Sequence, residues 1–458
     1  MDKKIVLIGA GSAVFGPATI ADIFLSKILP GSTVVLHDIN KERLNMIYEL
    51  VQAENKINNR GFTFEQTLDR TTAVKDADFV ISSTEHGDRF FFRRQDNSIP
   101  RKYGSTELMA ENGGPGGFFH SARQIPEIIK IAKDVKKYAP NAFFINFSNP
   151  MSRICLAIKR TIPDLKFVGL CHQIGFANKH IPRMLDKTLQ EEGLSPKERI
   201  KRWKKSLEYI RFTIGGLNHF AFILGITDLR TGKDLMPEFN AKCMDYFKDK
   251  WDRFEFANLT FEIYKRYGFF PYVGDNHICE YIQFSKDYVK IEDILDWLDR
   301  MQSGGEGINK YVETNYKRLQ AGRYDKKSRI FKEPSGERAI PIIEGIIKDK
   351  NSYETAVNIP NDGIIENLPQ DLVIECSATV NKTGLHGVKL VKIPANIAAL
   401  LRIEASIQDV CVEAILKESK DLAIACIAMD VNCGSFEMAD NIFKEMFELQ
   451  REYLPNFK

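Results

Sequence analysis

The stretch Ile5-Val6-Leu7-Ile8-Gly9-Ala10-Gly11-Ser12 decides the fold of this chain. Its apolar residues form a short strand, its glycines break that strand, and Ala13 to Leu29 then carry apolar residues at helical spacing. Two closely spaced glycines after a strand make a tight turn and let backbone amides approach a pyrophosphate, whose charge the N-terminus of the following helix favours. The segment therefore predicts a strand, a turn and a helix that bind a dinucleotide.

The glycine fingerprint of this turn is incomplete. A third glycine is due at position 14, which is Val14, and Gly16 comes two residues later. Asp38 follows the second predicted strand, where a carboxylate accepts the ribose hydroxyls of NAD and repels an extra phosphate. The alternative for Asp38 is a turn residue before Asn40. The strand, turn and helix around it favour an NAD site.

The rest of the chain divides into two parts. Helical patterns alternate with strand-like runs at Phe79 to Ser82, Ala142 to Phe147 and Lys166 to Leu170. This alternation predicts an α/β fold with a Rossmann-like, doubly wound parallel sheet, like that of lactate and malate dehydrogenases. We place this NAD-binding domain at residues 1–200, because Leu194-Ser195-Pro196 marks a break, and a second, α+β lobe for substrate, metal and oligomerisation at residues 201–458. Residues 395–417 and 422–447 are predicted as its two closing helices.

Composition excludes several classes of partner. The chain has 458 residues, 64 Lys and Arg against 61 Asp and Glu, and a net charge of +3, which is too balanced for a nucleic-acid or membrane surface. No stretch reaches the ~18 apolar residues of a membrane span, and the run after Lys4 is too short for a signal peptide. The eight cysteines form no CxxC pair, which argues against disulfides. We expect a cytoplasmic protein with a small-molecule substrate.

Several motifs, in order along nearly the whole chain, resemble glycoside hydrolase family 4, the NAD-dependent and metal-dependent glycosidases. They are Gly9-Ala10-Gly11-Ser12-Ala13-Val14-Phe15, Asn112-Gly113-Gly114-Pro115-Gly116-Gly117, Asn149-Pro150, Gly169-Leu170-Cys171-His172, Gly216-Leu217-Asn218-His219, Gly274-Asp275, Val357-Asn358-Ile359-Pro360 and Asp362-Gly363. Their ordered occurrence is more specific than any one of them. The resemblance implies NAD binding by the first motif, namely Gly9, Gly11, Ser12, Ala13, Val14 and Phe15, together with Asp38.

The resemblance also implies a metal site. In the family, the residues at the positions of Cys171 and His219 hold a divalent ion, commonly Mn²⁺, together with water and sugar oxygens. A cysteine that ends a strand is usually inert packing and a single histidine is usually structural, so neither residue alone indicates a metal. Thiolate plus imidazole would by softness favour zinc, so manganese follows from the resemblance only.

The chemistry implied by the resemblance is hydrolysis without net oxidation. NAD oxidises C3 of the sugar, the metal stabilises the enediolate, a base removes the C2 proton and the aglycone leaves from C1; water then adds and the steps reverse. We assign the base to Asp275, as in branches that resemble α-glucosidases and α-galactosidases. Asp275 as a loop cap is the alternative, and Tyr272 and Tyr267, which more often pack in a core, are the next candidates.

Other polar residues are candidates for sugar contacts. Asn149, fixed by the following proline at a strand end, should face the hydroxyls near C2 and C3, although an ordinary turn is the alternative. His172 should touch a hydroxyl or protonate the leaving group. Glu111 and Asn112 precede the glycines and should line the pocket, unless that loop is only a flexible cover. The arginines at positions 89, 93 and 94 are interpreted as a solvated basic face, and contact with a carboxylate or phosphate is the alternative.

The residue after Cys171 sorts the branches of the family. His172 at this position is typical of members that act on unphosphorylated hexosides or uronides, which predicts such an α-linked substrate, while Gln173-Ile174-Gly175 matches no branch. Two alternatives stay open: an NAD-dependent dehydrogenase of the lactate or malate type, which needs a His-Asp pair and a substrate arginine, and a non-catalytic NAD-sensing protein. We expect a homodimer or homotetramer.

Overall fold

The computed structural model describes residues 2–186, 195–250, 257–325, 328, 330–390 and 392–458. Its first half alternates strands with helices. The strands are β1 Lys4–Ile8, β2 Thr33–His37, β3 Thr63–Thr67, β4 Phe79–Ser82, β5 Phe143–Asn146 and β6 Lys166–Gly169. The helices are α1 Phe15–Leu25, α2 Lys41–Ile57, α3 Arg70–Val74, α4 Arg89–Lys102, α5 Gly114–Tyr138, α6 Met151–Thr161, α7 Ile174–Leu185 and α8 Pro196–Ser206.

These strands form a parallel sheet in the order β3-β2-β1-β4-β5-β6. The residues of β4 and β5 are all buried, as in strands of a parallel sheet that helices cover on both faces. The strand order reverses between β1 and β4, and ligands of such sheets bind there, outside the carboxyl ends of the strands. The predicted Rossmann-like sheet is confirmed, and β3, which the sequence analysis did not predict, extends it.

The second half mixes antiparallel strands with longer helices. Its strands are β7 Ile210–Leu217, β8 Phe220–Asp228, β9 Phe270–Pro271, β10 Ser352–Pro360, β11 Val373–Asn381 and β12 Gly384–Gly387. Its helices are α9 Met236–Lys250, α10 Asn258–Tyr267, α11 Asp275–Ile278, α12 Ile291–Gln320, α13 Ala339–Lys348, α14 Ala395–Lys417, α15 Lys420–Met429 and α16 Phe436–Gln450.

The two halves share one sheet. β10 pairs antiparallel with β6, with Asn358 opposite Gly169, and the sheet continues through β11, β7 and β8 to β9. Within the part of the chain that the structure describes, the result is a sheet of 12 strands, parallel in its first half and antiparallel in its second. The loops after β6 and between β7 and β8 are thereby tied to one framework.

Two predicted helices have different bounds in the structure. The helix expected over 13–29 spans Phe15–Leu25, because the residues before it still belong to the turn and Ser26 is extended. The single helix expected over 422–447 is wrong, because α15 ends at Met429 and α16 begins only after Ser435, whose hydroxyl accepts from the Met438 amide at 3.1 Å. Apolar spacing continues across this junction, but a serine cap restarts the helix.

The predicted domain boundary at residue 200 falls within α8. The break that suggested this boundary includes Leu194, and residues 187–194 lie outside the described residues. The division at residue 200 therefore stays a prediction. Among the described residues, no helix combines the length and apolarity needed to cross a membrane.

Candidate functional site

The predicted site residues converge on the carboxyl edge of the parallel sheet. Gly9 directly follows β1, Ser83 follows β4, and Asn149 and Cys171 come shortly after β5 and β6. Because β1, β4, β5 and β6 are parallel neighbours, their following loops lie side by side. This edge of the sheet is the candidate functional site.

The turn after β1 leaves no room for a side chain at Gly9 or Gly11. Gly9 has a φ of +90°, and a Cβ at this position would overlap the carbonyl oxygen of Ser83. The amide of Gly11 donates to Oδ2 of Asp38 at 2.8 Å, and a Cβ on Gly11 would lie 2.9 Å from that carboxylate. Asp38, at the end of β2, therefore lies directly beside the glycine turn, as a ribose-binding acid in this fold must.

Gly16 has the packing role of the third glycine of the fingerprint. It is the second residue of α1, and a Cβ here would overlap the carbonyl oxygen of Ala10. Only glycine lets α1 approach the turn this closely, which is what the last glycine of a dinucleotide motif does. The two-residue offset from position 14 hid this role in the sequence.

The remaining residues predicted to bind the cofactor connect the turn to α1. The hydroxyl of Ser12 accepts from the amide of Phe15 at 3.2 Å, which satisfies one of the free amides at the start of the helix. Ala13 is buried, whereas the side chain of Val14 is 51% exposed. Their contacts with a dinucleotide stay a prediction.

Cys171 and His219 meet although they belong to different halves of the chain. The Sγ atom of Cys171 lies 3.2 Å from Nε2 of His219, which sits between β7 and β8 with a φ of +62°. With bonds of about 2.3 and 2.1 Å, a sulfur and a nitrogen that bind one ion stand about 3.1 Å apart at a right angle and about 3.6 Å apart at the tetrahedral angle. The pair that the family resemblance indicated is spaced as two ligands of one metal ion.

The surroundings of His219 hold its ring in this position. The side-chain nitrogen of Asn112 lies 2.8 Å from Nδ1, and the backbone amide of His219 donates to the hydroxyl of Tyr272 at 3.2 Å. Burial lowers the pKa of His219 to about 4, so its imidazole is neutral, and the tautomer with its proton on Nδ1 can ligate a metal through Nε2. Burial and nearby Glu375 raise the pKa of the Cys171 thiol, so a bound cation has to displace its proton.

A second group of possible metal ligands also includes His219. One ligand atom each from Glu111, His219 and His277 lie within 4.8 Å of one another, and all three residues are buried. Both ring nitrogens of His277 are buried and, among the described residues, have no hydrogen-bond partner. Such nitrogens suit a cation. The sequence analysis missed His277, although it lies two residues after Asp275, and a survey of histidines near the motifs would have found it.

Glu111 is held by arginines. Nη2 of Arg93 lies 2.9 Å from its carboxylate and Nη2 of Arg89 lies 3.4 Å away. Burial alone would raise the pKa of Glu111, but these two cations hold it well below its usual range. Interpreting all three arginines as a solvated face was wrong for Arg93, which is only 4% exposed. Arg94 does lie on the surface, paired with Asp299 at 2.6 Å.

Buried carboxylates fasten the glycine-rich loop that carries Glu111 and Asn112. Oε1 of Glu280 accepts from the three consecutive amides of residues 111–113 at 2.5 to 3.3 Å. Asp430, between α15 and α16, accepts from the amide of Gly114 at 2.9 Å. The loop is buried throughout and anchored from distant parts of the chain, unlike the flexible cover that was the alternative. Glu280 thereby fixes Asn112, which in turn contacts His219.

The three candidates for the base differ in their contacts. The carboxylate of Asp275 accepts from the Leu259 amide at 2.8 Å and from the amide and hydroxyl of Thr260 at 2.7 Å, so it caps α10. Burial raises its pKa to about 6. The hydroxyl of Tyr272, beside His219, also bonds to the buried carboxylate of Glu375. Tyr267 ends α10, and its carbonyl accepts from Asn396 at 3.0 Å.

Asn149 and His172, both predicted to touch the sugar, differ in burial and in hydrogen bonding. Oδ1 of Asn149 is buried without a hydrogen-bond partner among the described residues. The side chain of His172 is 71% exposed; it lies 3.3 Å from the Gln173 amide group and 3.9 Å from the carboxylate of Glu337. The Asn149 oxygen lacks a partner, and the His172 ring next to Cys171 is mostly exposed, so a ligand can reach both side chains.

Comparison with known proteins decides the family. The family model described as Family 4 glycosyl hydrolase matches residues 4–187, and that of its C-terminal domain matches residues 214–433. The chain belongs to glycoside hydrolase family 4. This hydrolase is 34% identical to an alpha-glucosidase of Erwinia rhapontici, with 100% of both chains covered. It is 29% identical to an alpha-galacturonidase of Thermoanaerobacter italicus, covering 98% of this chain and 97% of the relative.

A solved structure has the same fold as this family 4 hydrolase. It is a 6-phospho-alpha-glucosidase from gut microorganisms in complex with NAD and Mn²⁺, with a TM-score of 0.82, 22% identity and 100% coverage of both chains. At this identity the match supports the fold alone. In the family 4 hydrolase described here, the glycine turn, Asp38 and the Cys171–His219 pair all lie around one sheet edge, where the arrangement can combine dinucleotide binding with metal binding.

Proposed function

We propose that this family 4 hydrolase cleaves an unphosphorylated, α-linked hexoside or uronide with the help of NAD and a divalent metal ion. When bound, NAD would take a hydride from C3 of the sugar and later return it, while the ion would polarise the hydroxyls on C2 and C3. The reaction is then a hydrolysis with no net oxidation.

One observation carries the proposal: the 3.2 Å contact between Cys171 and His219, brought together by β6 and by the β7–β8 turn. An ordinary dehydrogenase of the lactate or malate type has no use for a thiol and an imidazole at this place. A protein that only senses NAD needs the turn and Asp38 but no metal pair. The same pair, in a family of glycosidases, supports catalysis on a sugar that chelates a metal through neighbouring hydroxyls.

The side chains around the pair would bind and orient the sugar. Asn149 would donate and accept hydrogen bonds with the hydroxyls near C2 and C3, which would satisfy its orphaned oxygen. His172, open to solvent, would contact a hydroxyl or pass a proton to the leaving oxygen. Asn112 would hold the ring of His219, since its amide already contacts Nδ1. Glu111 and His277 would either complete the ligand set or hold its outer shell.

Of the three candidates for the base that removes the C2 proton, Asp275 and Tyr272 are buried, whereas Tyr267 is partly buried at the end of α10. Asp275 has a pKa raised by burial to about 6, which suits a base near neutral pH. Against this, its oxygens already bond to the start of α10. Tyr272 lies beside His219, but burial raises its pKa well above the usual range, so it would need the charge of a bound cation to ionise.

The substrate class rests on the relatives and on one residue. The relatives named above act, by their names, on an alpha-glucoside or an alpha-galacturonide without phosphate. His172 follows Cys171, and the family resemblance associates a histidine at this position with such substrates. The structural neighbour is named for a phosphorylated glucoside, so phosphorylated substrates belong in the test.

The decisive experiment incubates the protein with NAD, Mn²⁺ and reductant and a panel of α- and β-linked glucosides, galactosides, galacturonides and their 6-phosphates. We expect release of the aglycone from unphosphorylated α-linked members without accumulation of NADH. Steady NADH formation would identify a dehydrogenase, and no turnover with tight NAD binding would identify a sensor. Preference for the 6-phosphates would overturn the substrate assignment only.

A second measurement tests the reaction course. Hydrolysis in heavy water should place deuterium at C2 of the released sugar, because the abstracted proton exchanges with solvent before it is returned. Direct displacement at C1 leaves C2 untouched. Product without deuterium at C2, from an enzyme whose base is open to solvent, would contradict the proposed course.

A further inference from the structure

A cavity of about 790 Å³ lies between the start of α2 and the end of α12. Asn40, Arg43, Glu313, Tyr316 and Lys317 are among the residues that line it. It is adjacent to the glycine turn, because a Cβ on Gly11 would lie 3.0 Å from Cβ of Arg43. The cavity therefore opens beside the edge at which a dinucleotide would place its adenosine ribose.

Arg43 and Asp38 flank the same point of the turn with opposite charges. The carboxylate of Asp38 bonds to the amides of Gly11 and Asn40, each at 2.8 Å, which fixes its place. Arg43 starts from the first turn of α2, where its amide donates to Oδ1 of Asn40 at 3.0 Å. An arginine here is what a site for a 2′-phosphorylated ribose needs, and an acid is what excludes that phosphate.

Glu313 of α12 forms an ion pair with the guanidinium group of Arg43. Its Oε1 lies 3.4 Å from Nη2 of Arg43, and the two side chains are 41% and 32% exposed. The other terminal nitrogen, Nη1, is buried and has no hydrogen-bond partner among the described residues. Nη1 of Arg43 is thus a buried donor without a partner among the described residues. The positive charge of Arg43 is offset by Glu313, which lies far along the chain.

We propose that Glu313 is a specificity-determining residue for the dinucleotide: by holding Arg43, it withholds from a 2′-phosphate the cation that would bind it. The site then selects the unphosphorylated nucleotide twice, through repulsion by Asp38 and through neutralisation of Arg43. This inference rests on the proposed NAD-dependent function. It means that α12, through Glu313, contributes to the preference for NAD over NADP.

The test replaces Glu313 and measures nucleotide binding instead of turnover. Glu313→Gln keeps the shape of the side chain and releases Arg43, so the Kd for NADP should fall about fivefold, the upper limit for breaking an exposed ion pair. The Kd for NAD should stay within about twofold, since no charge is added to its ribose. Both constants are obtained by titration calorimetry at low ionic strength, where screening is weakest.

Two further variants separate the contact from a general charge effect. Glu306→Gln removes the same charge from α12 beside the adjoining groove, where Glu306 accepts from Gln302 at 3.1 Å. It should leave the preference between the nucleotides unchanged. Arg43→Gln added to Glu313→Gln should abolish the gain in NADP affinity, because the released guanidinium is then absent.

The outcomes are distinguishable. Equal gains from Glu306→Gln and Glu313→Gln, or a gain that survives Arg43→Gln, would overturn the role of the Arg43–Glu313 pair. Tight NAD binding with an unchanged preference in Glu313→Gln would overturn it as well and would leave the proposed function intact. If the unmodified protein binds neither nucleotide, the proposed function fails and the inference falls with it.

Discussion

Gly16→Ala tests the role assigned to the glycine that the motif spacing had concealed. The added Cβ would be about 1 Å too close to the carbonyl oxygen of Ala10 for a carbon–oxygen contact of about 3.3 Å. Either α1 moves away from the turn or the turn shifts, and overpacking of this kind costs about 1–3 kcal/mol. A shifted turn also mispositions the amides that face a pyrophosphate, so NAD affinity should fall about tenfold or more.

Gly175→Ala is a matched control for this variant. Gly175 is also the second residue of a helix, α7, and a Cβ there would meet nothing within 4 Å. Both substitutions gain the same helix propensity, about 0.5–1 kcal/mol, so the difference between them isolates the contact with Ala10. Urea unfolding should place Gly16→Ala about 1–3 kcal/mol below Gly175→Ala. Equal stability, together with unchanged NAD binding by Gly16→Ala, would refute the close-approach argument.

Three more predictions concern the metal pair, the buried Glu375 and the base. Cys171→Ser and His219→Ala should each reduce aglycone release to background, while NAD binding is retained. Cys433→Ser is the control, because Cys433 is a similarly half-buried cysteine far along the chain, and this variant should remain active. If Cys171→Ser or His219→Ala is active in the presence of chelator, the metal lies elsewhere. Burial raises the pKa of Glu375 from 4.5 to about 7, so the folded protein binds its proton more tightly than the unfolded chain and stability should fall by about 3 kcal/mol as pH rises between these values. Urea unfolding of metal-free Glu375→Gln should lack that fall, and parallel pH profiles would contradict it. Asp275→Asn should block deuterium uptake at C2 yet still permit transient NADH formation; full uptake in this variant would leave Asp275 as the cap of α10 and turn attention to Tyr272→Phe.

The sequence was sufficient wherever local pattern decides structure. Short apolar runs that alternate with helical patterns predicted β1, β2, β4, β5 and β6, because strands of a parallel sheet are short and buried on both faces. The ordered motifs identified the family, and through it Cys171 and His219 as partners. Neither residue would have indicated a metal without that resemblance, since their sequence positions are far apart and each has a common structural use.

The parts that sequence could not supply depend on contacts between distant segments. His277 became a candidate ligand only when folding brought it beside Glu111 and His219. Glu280 has no motif of its own, because its role is to accept backbone amides, which any sequence can provide. Gly16 does not match the fixed spacing of the fingerprint, whereas the structure requires only that α1 approach Ala10.

The pairing of β10 with β6 has a consequence for how the chain is made. At the ribosome β6 is complete once Gly169 has been added, but its neighbour on that side begins at Ser352. At usual translation speeds the interval is on the order of ten seconds or more. Throughout it, the nascent chain presents an open strand edge, with Cys171 just beyond its end, to any other chain nearby. We therefore expect this edge to be open to pairing with other strands until β10 has been made.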